Sequence, residues 1–161
     1  MAGAAGGIDE CILFTRMAVD VCRERGIRAK PLPVSVEMTA TADPGTPVLL
    51  GFEGQRPPDA PDDYWDGHLV PILDGRLLVD LSIDSIARPE IDLEPEPFVA
   101  EVRPEFLAGG SLDLPVSGGQ ARYRAHPERR DYRDLPAWAQ AKPDEIARLA
   151  DALLWPAGHG R

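Results

Sequence analysis

The chain has 161 residues, 43% of them hydrophobic, with 17 Pro, 15 Gly and a formal net charge of −10. That length suits one domain with a core of ordinary size, and the Pro and Gly content predicts much loop and turn. The negative charge argues against nucleic acid and anionic membrane surfaces as partners, because both repel it, and leaves a cationic or neutral substrate compatible.

Residues 1–7, MAGAAGG, lack the basic region and apolar run of a signal peptide and read as a flexible start. No apolar run approaches the ~20 residues of a membrane span. Ile8–Arg25 reads as one mostly buried helix. Asp9 is the expected N-cap, which places Cys11 in the first turn, where the positive end of the helix dipole favours thiolate. Cys11, Thr15, Ala18, Val19 and Cys22 form an apolar stripe at three/four spacing, and Gly26 is a fitting stop. Cys11 and Cys22 lie roughly 16 Å apart on this helix at 1.5 Å per residue, too far to bridge. Both are expected to be free thiols, which fits a reducing, cytoplasmic compartment. Cys22 reads as a small core residue.

Arg28–Met38 follows as a strand, with Leu32, Val34, Val36 and Met38 on the buried face. Pro31 and Pro33 cannot donate ladder bonds, so its start should be an edge or unpaired. Residues 39–63 read as a long irregular loop of lid or binding type, broken by Pro47-Val48-Leu49-Leu50. The acidic residues Asp59, Asp62, Asp63 and Asp66 read as a solvated loop, or secondarily as an attractor of a cationic peptide.

His68–Leu73 and Arg76–Ser82 flank the turn signal Asp74-Gly75 and read as a hairpin. A two-residue loop would pair His68 with Leu81 and turn Asp80 to the opposite face. A three-residue loop, Leu73-Asp74-Gly75, pairs Ile72 with Arg76 and sets His68 opposite Asp80 on one face. The three-residue loop is the expectation. Tyr64 and Trp65 precede the hairpin and read as its cover, with a substrate-stacking role for Trp65 as the sharper alternative.

Beyond Ile83 the signals weaken. Phe98–Val102 and Ala121–Arg124 read as short strands, and residues 127–134 as solvated loop. A last helix is expected from Pro143, with the stripe Ile146, Leu149, Ala150, Leu153 and Leu154, ended by Pro156. His126 and His159 read as solvent-exposed. There is no internal repeat. Residues 8–161 are expected to form one domain, with a core over about 8–90 and a C-terminal extension over 91–161. No zinc spacing, EF-hand loop or phosphate-binding glycine motif is present, so no metal or cofactor is expected.

A cysteine at a helix start, a histidine on a strand and an aspartate on the next strand fit the roles of thiol catalysis. The imidazole takes the thiol proton and returns it to the leaving group, while the carboxylate fixes the imidazole's tautomer and supports its charge. The Cys11 backbone N–H is expected to form half of an oxyanion hole. Trp65 is a candidate for the other half or for a pocket wall. Ser82 and Asp84 either support Asp80 or only end the strand. A buried Asp80 needs a partner, and His68 is the obvious one.

The runs ECILFTRMAVDVCRERGIRAKPLPV and WDGHLVPILDGRLLVDLSID resemble the core of the transglutaminase-like branch of the papain-like cysteine peptidase superfamily, over about Asp9–Asp84. They resemble less closely the small Cys-His-Asp leader peptidases of lasso-peptide pathways. The resemblance implies a nucleophilic Cys11 starting a central helix, with His68 and Asp80 on successive antiparallel strands. Where that family often carries His-Ala-Trp, this chain has His68-Leu69-Val70. The implied fold class is α+β: a papain/transglutaminase-like core with its N-terminal helix packed on a small antiparallel sheet, plus an extra C-terminal helix. The implied activity is acyl transfer from a peptide or protein amide, to water (peptidase or amidase) or to an amine (transglutaminase). A non-catalytic binding module of the same fold, and an accessory protein of peptide maturation, are the alternatives.

Overall fold

A computed structural model describes residues 6–51, 65–141 and 144. The first helix, α1, spans Gly6–Glu24, and the strands are β1 (Ala29–Ala40), β2 (Val48–Leu50), β3 (His68–Leu73), β4 (Leu77–Asp80), β5 (Phe98–Glu101), β6 (Ser111–Val116) and β7 (Gly119–Ala125). Two short helices, α2 (Pro104–Leu107) and α3 (Pro136–Ala139), and 3₁₀ turns at Ile83–Ile86, Pro89–Ile91 and Asp131–Asp134 complete the described chain. The class is α+β, as expected. Among the described residues, no helix is long and apolar enough to cross a membrane.

All seven strands form one antiparallel sheet in the order β5-β4-β3-β1-β7-β6, with β2 also beside β1. The sheet is larger than expected, because the expected strands β5 and β7 join it and β2 and β6 are added. It also curls. Phe98 of β5 meets Tyr123 of β7 edge-on at 5.8 Å, although three strands separate them in the sheet. Curling lets one face enclose the main core, which includes Leu32, Val34, Val36 and Met38 of β1, Val70, Ile72, Leu78 and Tyr123. A second cluster, Cys11, Ile12, Trp65, Leu69 and Tyr132, lies where α1 meets β3.

Several boundaries depart from expectation. Helix α1 starts at Gly6, so Asp9 lies inside it instead of capping it. Its end is as expected: Gly26 takes φ +75°, and the Ile27 N–H donates to the Cys22 carbonyl at 2.9 Å, closing the last turn. Pro31 and Pro33 are paired with β3, and on the other side only the Pro33 carbonyl is engaged, by the His126 N–H at 2.9 Å. Pro31 faces Pro71 across the β1–β3 ladder, and β7 joins β1 only from Val34 onward. Neither proline of that pair has an N–H, so it is a non-hydrogen-bonded position, and the missing donors point away from β3. The apolar Val48–Leu50 within the expected loop is strand β2, paired with Val36–Met38. The remainder of that loop from 52 on, Tyr64, His159 and the helix expected from Pro143 to Pro156 lie outside the described residues.

Candidate functional site

The hairpin has the expected loop length in a different place. Leu73 pairs with Leu77, so the loop is Asp74-Gly75-Arg76, with positive φ at Asp74 (49°) and Gly75 (70°). The register moves by two residues in sum, so His68 is not directly opposite Asp80. A shift of two preserves the face, because side chains alternate with period two. The two side chains therefore still meet diagonally: His68 Nε2 lies 2.8 Å from Asp80 Oδ2. Both are 1% exposed.

Helix α1 brings the thiol to the other side of the ring. Thr15 Oγ1 donates to the Leu69 carbonyl at 2.8 Å, tying α1 to β3 one residue beyond His68. Cys11 lies one turn before Thr15 on the same helix face. Its side chain lies near enough to the His68 ring to favour the charged imidazole. With Nε2 engaged by Asp80, Nδ1 is the ring nitrogen left for sulfur. Asp80 and Cys11 thus both neighbour the His68 ring.

Asp80 has two further partners. The Ser82 backbone N–H donates to Oδ1 at 3.1 Å, and the Tyr123 hydroxyl donates to Oδ2 at 2.8 Å. Ser82 supports Asp80 through its backbone, whereas Asp84 is exposed. Tyr123 was not foreseen. The only signal for it is a tyrosine between Ala121 and Ala125 on an alternating strand, whose buried hydroxyl needs an acceptor.

Electrostatics follow from this geometry. Burial disfavours charge on His68, but the Asp80 carboxylate, its hydrogen bond and the Cys11 contact outweigh it and push the imidazole up to about 10. Burial also disfavours an ionised Asp80, and there the His68 charge and the hydrogen bonds from His68, Tyr123 and Ser82 prevail and hold the carboxyl below its usual range. Burial, then the Asp80 charge, drives the Tyr123 hydroxyl far above its ordinary range. His68 is therefore imidazolium, and Asp80 carboxylate, at neutral pH. Tyr123→Phe should cost about 1.5–3 kcal/mol, the range for a hydrogen bond to a charged acceptor. It should also move acid unfolding to higher pH, since a less depressed Asp80 loses its contribution earlier as pH falls. Urea titration at pH 7 and an acid titration followed by circular dichroism check both.

Two expectations about the thiol need correction. As sixth residue of α1, Cys11 lies in the second turn, and its N–H belongs to the helical ladder, not among the four free N–H groups at the start. The expected oxyanion half is therefore already engaged. The thiol is also covered, at 2% exposure. Trp65, equally buried, belongs to its cover, beside Tyr132 at 6.3 Å between ring centroids. The indole folds over Gly67, where a Cβ would run into the ring. Trp65 Nε1 is buried with no acceptor in hydrogen-bond geometry, although the Asp131 carboxylate is near enough for the N–H to favour its charged form.

Other sequence readings resolve as follows. Cys22 is free and half-buried, not a core residue, and burial raises its thiol despite nearby Arg25. His126 is half-buried, with Nε2 3.0 Å from Ser35 Oγ. Asp66 is not solvated but ion-paired with Arg129 at 2.9 Å. Asp59, Asp62 and Asp63 lie outside the described residues. The 127–134 loop is anchored by Tyr132, which is 2% exposed. Among the described residues, no group of three His, Cys, Asp or Glu could hold a metal ion. The chain matches no family model, no curated protein and no solved structure.

Proposed function

We propose that this chain is a thiol-dependent acyl-transfer enzyme of the transglutaminase-like, papain-related kind. The observation that carries the reading is the buried cluster of Cys11, His68 and Asp80, with His68 bonded to Asp80 and Asp80 held by Tyr123 and Ser82. A purely structural core would have little reason to bury a charged imidazole against a thiol, because such pairs are weak sources of stability.

In the proposed reaction, Cys11 Sγ attacks an amide carbonyl carbon and His68 holds the thiol proton on Nδ1. The tetrahedral intermediate collapses, the C–N bond breaks, and the departing amine takes that proton from His68. Water or an amine then attacks the thioester, His68 accepts its proton, the C–S bond breaks and the thiol is restored. Asp80 stays ionised throughout, fixing the ring and balancing its charge. Hydrolysis is the preferred outcome, by analogy with the family the sequence resembles. Trp65 serves as a wall of the acyl site, its indole N–H lying beside the Asp131 carboxylate.

p-Nitrophenyl acetate should give a burst of about one nitrophenol per chain, the mark of a covalent intermediate. The burst should vanish in Cys11→Ala and persist in Cys22→Ala. A burst lost only with Cys22, or none at all, overturns the reading. A second reading, a binding module that keeps the fold without chemistry, is favoured by the coverage of Cys11 and the engagement of its N–H in the helix.

A further inference from the structure

A cavity of about 650 Å³ opens at the far end of α1 from the thiol. Six cations line it: Arg23, Arg28, Lys30, Arg129, Arg130 and Arg133. Asp74 is its one acidic lining residue. Random sampling of a chain with 27 Asp and Glu against 17 Lys and Arg would give the opposite balance.

Most of this positive charge is not neutralised. Arg129 is satisfied by Asp66 and Asp131. Arg28 reaches Asp74 only at 3.6 Å, with both side chains at least half exposed, a weak pair. Arg23 and Arg133 donate to neutral oxygens, the Ala29 carbonyl and the Tyr132 hydroxyl. Lys30 and Arg130 have no ion-pair partner among the described residues. The floor is apolar, built from Leu32, Ile72 and the Tyr132 side chain.

We infer that this cavity binds a peptide segment carrying several Asp or Glu side chains. The cations stand on three separate elements, the end of α1, the start of β1 and the 129–133 turn, which suits carboxylates spaced along a chain better than one compact anion. The apolar floor suits the backbone and side-chain stems between them. Because β7 joins β1 only from Val34, the β1 edge beside Pro31 faces this cavity without a ladder partner, while the Pro33 carbonyl accepts the His126 N–H at 2.9 Å. Arg23 is twelve residues along α1 from Cys11, about 18 Å. An extended peptide covers that in five or six residues at ~3.3 Å each. The cavity is thus a separate recognition site, within one peptide's reach of the thiol. The inference does not require the acyl-transfer reading, because it is tested by binding.

Dye-labelled hexaglutamate and hexaserine are titrated with the full chain and with Cys11→Ala, and anisotropy is followed at low and moderate salt. Hexaglutamate should bind both proteins at least ten times more tightly than hexaserine, and binding should weaken with salt. The double variant Lys30→Glu/Arg130→Glu should lose at least tenfold in affinity while keeping its melting temperature, since both side chains are exposed. Lys30→Ala/Arg130→Ala should lie between the two. Equal binding of both peptides, or unchanged affinity in the folded reversal variant, overturns the inference. Displacement of hexaglutamate by pyrophosphate at equal concentration would also overturn it, by making this a compact-anion site.

Discussion

Asp80→Ala is expected to destabilise the fold by about 3–5 kcal/mol near pH 6, the usual cost of removing one partner from a buried ion pair. The variant leaves the His68 ring buried without its counter-charge and the Tyr123 hydroxyl without its acceptor. The pH dependence separates this from a packing defect. Asp80 is depressed in the fold, so its contribution is present above its unfolded value near 3.8 and is lost as pH falls through the lower folded value. His68 is raised to about 10, so its contribution is fully present below its unfolded value of 6.5 and is lost as pH rises toward 10. The gap between wild type and variant should therefore be widest between about pH 4 and 6.5, and should narrow on both sides. Urea titrations from pH 3 to pH 10 measure it. A gap that does not vary with pH would show that the pair is not ionised.

His68→Ala should slow alkylation of Cys11 by iodoacetamide at least tenfold at pH 6, because the ring proposed to take the thiol proton during attack is gone. The thiol is covered in both proteins, so each rate includes the cost of a local opening, and comparing the same cysteine in the two largely cancels it. Cys22 is an internal reference, since its thiol is raised by burial and does not touch His68. Its rate should not change. Equal Cys11 rates in wild type and variant would remove His68 from the chemistry of the thiol.

The site was legible in sequence where local rules decide it. Side-chain parity along β3 and β4 puts His68 and Asp80 on one face for any hairpin loop that keeps an even register sum. The pairing thus survives a turn at Asp74-Gly75-Arg76 instead of Leu73-Asp74-Gly75. Gly26 ends α1 for the local reason expected of it. What escaped depends on residues distant in sequence. Tyr123 reaches Asp80 across 43 residues because the sheet curls, and no local pattern encodes that curl. The Pro31 and Pro33 signals marked an edge correctly, but only on the side β7 leaves open. Asp9 is a good cap by residue type, yet the helix continues through it to Gly6, which moves Cys11 away from the free N–H groups. The cationic cavity was invisible in a chain of net charge −10, because its lining comes from segments around residues 23–33, 72–75, 107 and 127–133.

The most direct test is to mix the protein with p-nitrophenyl acetate, quench in acid within the burst, and locate the added mass by peptide mapping. One acetyl group is expected on the sulfur of Cys11, absent from His68→Ala under the same quench. Acetylation spread equally over Cys11 and Cys22, or a Cys11 adduct that forms as fast without the imidazole, would contradict it.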